Sequence, residues 1–225
     1  MPMKATGRAP SWREIDQWDG GTGWIAHPDE KMQRTSHALV DGDDVWLVDP
    51  VDVEGLDERL ADLGTVRGTV VLLDRHTRDS AAIARRHDVP VFVPEWMDDV
   101  PADVDAPVRT IRRGLPDSDY DLHKLIDNPL WTEAFLYDED SKTLVVPEAV
   151  GTAAYFRAGN ERLGVHPALR LTPPRSLGRF GPDRILTGHG AGVFDDAAGA
   201  LAEALDSARW RAPRLYAETA REFLS

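Results

Sequence analysis

Runs of apolar and polar positions divide the chain into segments of strand and helix length. Residues 36–40 and 45–49 are two apolar runs separated by Asp41-Gly42 and two further aspartates. An Asp-Gly step between such runs predicts a hairpin, since these residues tolerate the positive φ of a tight turn. Residues 53–63 then place their leucines on one face and end at Gly64, which predicts a helix.

The rest of the chain alternates in the same manner. Further strands are predicted at residues 68–73, 89–94, 108–112, 122–126, 132–137, 143–146 and 184–187, and further helices at 81–87, 156–163, 195–210 and 214–224. This order predicts an α/β (α+β) fold in which helices cover two stacked sheets. Without repeats or linker-like stretches, residues 1–225 are expected to form a single domain. Residues 1–35 would be an N-terminal extension packed on or beside it, and 211–225 a C-terminal helix.

Composition restricts the chemistry and the partners. The 225 residues include no cysteine, so any metal ion must be held by His, Asp or Glu. The first ten residues lack the apolar core of a signal peptide, and no run approaches the ~18 apolar residues of a membrane span. We therefore expect a cytoplasmic protein without membrane contact. A net charge of −13 argues against a nucleic-acid partner.

The charged residues are skewed in type as well as in sign. Aspartate and glutamate number 39 against 26 lysines and arginines, and only four of those 26 are lysine. Such an acidic, lysine-poor surface is typical of halophilic proteins, in which salt screens the repulsion between carboxylates. The alternative is an ordinary acidic protein, but the two features together favour a halophilic one.

Four segments in a characteristic order resemble the metallo-β-lactamase superfamily. These are Leu47-Val48-Asp49-Pro50 at a strand end, Val71 to Ser80 across a strand-to-loop junction, Thr143 to Val150, and Arg184 to Gly190 with its Gly-His-Gly turn. The resemblance covers roughly residues 36–205 and implies a four-layer αββα sandwich. Members of that superfamily hold one or two metal ions that activate water for hydrolysis.

The resemblance also implies a set of metal ligands. The second segment occupies the place of the family's His-x-His-x-Asp-His loop, where it offers Asp74, His76 and, one residue late, Asp79. Glu148 replaces the bridging aspartate of the third segment, and His189 matches the last ligand. The histidine expected within residues 125–131 is missing. The remaining set is rich in oxygen and suits Mn, Fe or Mg better than Zn. The expected cofactor is either none or one divalent metal, Mn, Fe or Zn.

Four of the five candidate ligands also have an ordinary structural explanation. His189 could be a turn residue bonded to the backbone, and His76 a histidine exposed beside arginines. Asp79 is more typical of a helix cap, and Glu148 could pair with an arginine. Trp131, Arg175 and Asp49 are further candidates for lining a substrate cleft, whereas the histidines at 27, 37, 87 and 166 have no partners at ligand spacing and are expected in the surface or core.

Two functions remain open from the sequence. The first is a hydrolase in which one metal ion activates water against an ester, thioester or similar bond. The second is a metal-free binding or regulatory module that keeps the sandwich and its cleft. The loss of imidazoles from two separate loops favours the second, because metal affinity falls steeply when ligands are lost. A small-molecule partner remains open, and the sequence does not determine the oligomeric state. Motifs of serine hydrolases, phosphate loops and dinucleotide-binding folds are absent.

Overall fold

The computed structural model describes residues 2–5, 9 and 11–224. The strands in this part are β1 (Arg13–Trp18), β2 (Gly21–Ile25), β3 (Thr35–Asp41), β4 (Asp44–Val48), β5 (Thr65–Val70), β6 (Val91–Pro94), β7 (Val108–Ile111), β8 (Tyr120–Asn128), β9 (Trp131–Asp138), β10 (Thr143–Val146), β11 (Val150–Gly151), β12 (Gly164–Val165) and β13 (Arg184–Thr187). The helices are α1 (Leu56–Ala61), α2 (Ser80–Arg86) and α3 (Ala197–Leu224). Short 3-10 turns occur at Val100–Asp103, Ala154–Phe156, Pro167–Leu169 and Arg175–Arg179.

The strands form two main sheets and a small ribbon. The first sheet has the order β1-β2-β3-β4-β5-β6-β7, and the second has the order β13-β10-β9-β8. Strands β1 to β4 pair antiparallel, whereas β4 to β7 pair parallel with α1 and α2 in their crossovers. Strands β11 and β12 pair as a separate two-stranded ribbon.

The alternation of side chains along the strands creates the layers. In β4, Trp46 and Val48 pack into the core between the sheets, whereas Leu47 faces the core beneath α1 and α2. In β9, Leu136 points into the same central core and Phe135 into the core beneath α3. Each sheet is thus apolar on both faces, which requires a helical cover outside. The predicted four-layer αββα sandwich is confirmed.

Three segments differ from the predictions. Strands β1 and β2 lie inside residues 1–35, so much of the expected extension is an integral edge of the first sheet. The helix predicted at residues 156–163 is wrong: the 3-10 turn ends at Phe156, and Gly159 takes a positive φ of 64°. A left-handed residue interrupts a helix. The apolar residues of this segment are instead buried as parts of a loop, Ala158 and Leu163 among them.

The two predicted C-terminal helices are one helix. Helix α3 runs through Pro213, with Ala212 and Leu215 buried on either side of it. Proline removes one backbone donor and strains the preceding turn, but continuous burial of the apolar face holds the helix together. None of the helices in the described part of the chain is long and apolar enough to cross a membrane.

Candidate metal centre

His76 is oriented by a carboxylate at the end of β4. Asp49 has a positive φ of 45°, which turns its side chain back toward the loop after β5. Its Oδ1 accepts a hydrogen bond from the Leu72 backbone N–H at 3.0 Å, and its Oδ2 lies 3.1 Å from His76 Nδ1. Burial raises the pKa of Asp49 to about 6. The contact assigns the ring hydrogen to Nδ1 and leaves Nε2 of His76 as a free acceptor.

Glu148 follows β10 and is held through its backbone. The buried carboxylate of Glu133 on β9 accepts hydrogen bonds from the backbone N–H groups of Glu148 and Ala149, at 3.0 and 2.8 Å. Glu148 is 5% exposed, and its Oε2 lies 3.5 Å from His76 Nε2. Burial raises the pKa of Glu148, against the opposing effect of Arg75 and Arg78. Burial also raises the pKa of Glu133, to about 7.

His189 enters the same site from the turn after β13. Its neighbour Gly188 lies so close to the Pro147 carbonyl that a Cβ would be 2.2 Å from that oxygen, so only glycine fits there. His189 Nδ1 lies 2.9 Å from the Met32 carbonyl, and its ring stacks on Phe156. Its Nε2 is buried without a hydrogen-bond partner. The Met32 contact assigns the hydrogen to Nδ1, as in His76.

Three of the five predicted ligands therefore converge. His76, Glu148 and His189 each offer a ligand atom, and these atoms lie within 4.8 Å of one another. Burial lowers the pKa of both imidazoles well below the usual value, so both rings are neutral at neutral pH. Neutral imidazole nitrogens and a carboxylate oxygen form a ligand set that several divalent ions accept.

The other two predicted ligands are engaged elsewhere. Asp74 Oδ2 accepts a hydrogen bond from the Thr132 backbone N–H at 2.8 Å, which ties the loop to β9. Asp79 stands at the N-cap of α2, but its Oδ2 accepts from the Asp52 backbone N–H, also at 2.8 Å, and makes no capping bond to the helix. Neither joins the group of potential ligands found among the described residues.

Two arginines beside the triad were not singled out by the sequence analysis. Arg75 Nη2 lies 3.0 Å from Glu148 Oε2, and the Arg75 side chain is 40% exposed. Arg78 donates to the carbonyls of Thr35, Asp49 and Gly188, and burial lowers its pKa to about 10. With His76 as the second histidine of His-x-His-x-Asp-His, the aspartate position is Arg78. An arginine at the family's aspartate position was the sequence signal that could have identified Arg78.

His166 was expected to be an ordinary core or surface residue, yet it contacts the site. Its Nδ1 accepts from the Ala168 N–H, which assigns the hydrogen to Nε2, and Nε2 lies 3.5 Å from Glu148 Oε1. Burial lowers the pKa of His166 to about 4. No motif marks this position, because it reaches the site through the β11–β12 ribbon.

The three cleft candidates fall in different places. Asp49 orients His76, as described. Trp131 lies beside the site, with the Arg75 guanidinium 4.2 Å above its ring and its Nε1 donating to Glu133 Oε2 at 2.7 Å. Arg175 instead pairs with Asp206 of α3 at 3.0 Å, on the helix that covers the outer face of the second sheet.

Comparisons with known proteins bear on the fold. No family model matches the chain, and no curated protein matches it by sequence. Among solved structures, DIM-1 metallo-β-lactamase exposed to ceftazidime is 12% identical with a TM-score of 0.63, over 92% of this chain and 99% of that one. The mono-zinc form of FIM-1 from Pseudomonas aeruginosa is 9% identical, with a TM-score of 0.61 over 91% and 99%.

A metallo-β-lactamase from Hirschia baltica is similar at a lower level, with 8% identity and a TM-score of 0.58 over 85% of this chain and 97% of that one. At such identities a shared architecture carries no shared chemistry. The layers, the strand order and these likenesses together identify the fold of this protein as that of the metallo-β-lactamases.

Proposed function

We propose that this protein holds one divalent metal ion between His76, Glu148 and His189 and acts as a single-metal hydrolase. The observation that carries the proposal is a buried atom without a hydrogen-bond partner, His189 Nε2, in a residue whose ligand atom lies within 4.8 Å of those of His76 and Glu148. An unpaired buried polar atom costs about 1–3 kcal/mol, so a ligand for this nitrogen is expected. This proposal departs from the metal-free module that the sequence alone favoured.

The donor set fits such an ion. Both histidines have their Nδ1 atoms held by oxygen acceptors, Asp49 Oδ2 and the Met32 carbonyl, so their Nε2 atoms are available. Metal-binding histidines are commonly held in this manner, because the partner fixes the ring and raises its basicity. Three protein ligands leave one position for water, as in catalytic zinc sites. Zn, Fe and Mn all accept two imidazoles and a carboxylate.

When bound, such an ion would supply a Lewis acid and lower the pKa of a coordinated water toward neutrality. The residues of this chain would do the rest. Glu133 fixes the backbone of Glu148, and Asp49 fixes the ring of His76. Arg75 lies at the exposed side of the site against Trp131, where its charge would orient the carbonyl or an anionic group of an ester or thioester substrate.

A metal-free binding module is the second candidate, and one observation favours it. Arg75 occupies the same Glu148 oxygen that a metal would use, at 3.0 Å, and Arg78 adds a second cation nearby. These two guanidinium groups balance the charges of Glu148 and Asp49 without any ion. A divalent cation would therefore have to displace Arg75 from Glu148 against electrostatic repulsion.

The metal content of purified protein tests the proposal. Protein prepared in high salt without chelator is expected to contain about one Zn, Mn or Fe per chain. His76→Ala and His189→Ala should each retain at least about tenfold less. His87→Ala is the matched control. His87 stands at the end of α2, outside the triad, and pairs with Asp57 of α1.

A second variant addresses the competing candidate. Arg75→Met removes the cation that pairs with Glu148, and it should bind Zn or Mn more tightly than the wild-type chain does. Hydrolysis of aryl ester and thioester probes is then measured on metal-loaded protein. If the wild-type chain takes up no Zn, Mn or Fe even after dialysis against each, the single-metal proposal is wrong and the metal-free module replaces it.

A further inference from the structure

A cavity lies apart from the three candidate metal ligands, none of which lines it. It encloses about 710 Å³, a size typical of small-molecule sites. Its walls come from the chain between β2 and β3, from the loop at residues 154–162 and from the C-terminal half of α3. The wall nearest the candidate metal centre includes Gln33, whose carbonyl accepts from the Gly190 N–H, and Tyr155, whose ring packs against His166.

Each carboxylate in the cavity wall is already paired with an arginine. Glu30 binds Arg34, and Glu161 binds Arg170, with both arginines outside the lining. Glu218 pairs with Arg214 at 2.7 Å. The acidic groups of the wall are thus neutralised before any ligand enters.

Cations of the wall remain in excess. Lys31, Arg157, Arg162 and Arg214 all line the cavity. Arg162 pairs with Asp195 and Asp196 at its exposed edge. Arg157 is exposed, and its guanidinium has no hydrogen-bond or ion-pair partner within residues 2–5, 9 and 11–224. The lining therefore carries more basic than acidic side chains, although the net charge of the chain is −13.

The uncharged part of the wall combines apolar and polar side chains. Met3, Ala154, Tyr155 and Leu215 supply apolar surface, and Gln33, Asn160 and Thr219 are polar. A cavity with such apolar surface and, at its edge, one cation without a partner among the described residues fits a molecule with an apolar body and one anionic group. We propose that this cavity binds a small organic carboxylate, with Arg157 as the group that pairs with the carboxylate. The site goes beyond the proposed hydrolytic function and does not depend on it.

Titration calorimetry with octanoate as the probe tests the proposal. Octanol has the same apolar body without the charge, and acetate has the charge without the body, so each should bind at least about tenfold more weakly than octanoate. Arg157→Gln should weaken octanoate binding at least about tenfold, the loss expected for one charge-assisted contact. Arg179→Gln, which removes an exposed arginine outside the cavity, should bind as the wild-type chain does.

Several results would overturn the proposal. These are an absence of octanoate binding, binding of octanol as tight as that of octanoate, or equal affinities in Arg157→Gln and Arg179→Gln. Circular dichroism verifies that both variants are folded, as expected for exposed positions. The titration is run with and without EDTA. Removal of a metal should leave octanoate binding unchanged, so failure of the hydrolase proposal and failure of this one are separate outcomes.

Discussion

Replacing Arg170 with methionine should greatly lower the free energy of unfolding of this protein, because Arg170 is fully buried. Its Nη1 and Nη2 bind the two carboxylate oxygens of Glu161 at 3.0 and 2.6 Å, and Nη2 also donates to the Phe156 carbonyl. Glu161 is 2% exposed. The pair therefore joins the loop at residues 154–162 to the chain after β12, and Phe156 of that loop stacks on His189.

The magnitude follows from what Arg170→Met leaves behind. Glu161 keeps the Ala158 N–H at 2.6 Å and the more distant Arg211 Nη1 at 3.7 Å, and the Phe156 carbonyl loses a donor. Removing one partner of a buried ion pair costs about 3–5 kcal/mol, because the remaining charge is not solvated. Methionine keeps most of the apolar volume, so the loss reports the charge and not a cavity.

A double-mutant cycle isolates that charge. Glu161→Gln combined with Arg170→Met removes both charges and keeps an acceptor for the Ala158 N–H, so the double variant should be more stable than Arg170→Met alone by about 1–3 kcal/mol. Urea unfolding followed by tryptophan fluorescence gives the free energies. Arg214→Met is the matched control and should cost much less stability, since its pair with Glu218 is solvent-exposed.

The reasoning is refuted if Arg170→Met costs less than about 1 kcal/mol, or if the losses of the two single variants simply add in the double variant.

Two further predictions concern charge. If the acidic surface is halophilic, the melting temperature should rise steadily between about 0.1 and 2 M KCl, because the Debye length falls from about 10 Å to below 3 Å; a flat curve would exclude it. Burial alone would raise the pKa of Glu30, but hydrogen bonds from Arg34 and from the Ala5 N–H lower it below 4.5. The carboxylate thus stabilises the fold above the unfolded pKa and ceases to do so as pH falls through the folded pKa. In urea titrations, the stability difference between wild type and Glu30→Gln should be constant above about pH 5.5 and shrink in acid; a difference that does not change as the pH falls contradicts this assignment.

The layered fold was accessible from the sequence because its signals are local. Strands β4, β9 and β10 alternate or run apolar over four to eight residues, and each alternation places neighbouring side chains on opposite faces of a sheet. The Asp-Gly turn before β4 and the Gly-His-Gly turn after β13 are also determined by residues a few positions apart. Strands β1 and β2 were missed because they carry weaker patterns, with three charged residues in β1 and two glycines in β2.

In the candidate site, too, local sequence identified some features and packing determined the others. His76, Glu148 and His189 were identified because each stands at a strand end, where short motifs mark the position. The partners that make them useful as ligands are distant in the chain: Asp49 lies 27 residues from His76, and Met32 lies 157 residues from His189. Such contacts depend on how sheets and loops pack.

Tertiary packing also decided which polar groups are available at all. Asp74 and Asp79 carry the same carboxylate as any ligand, yet backbone N–H groups of Thr132 and Asp52 engage them. Arg75 and His166, which no spacing rule marks, were brought to Glu148. A local pattern determines the strand or turn in which a residue stands, because backbone periodicity is set by neighbouring residues. Its partner is determined by distance in three dimensions, which only the folded chain supplies.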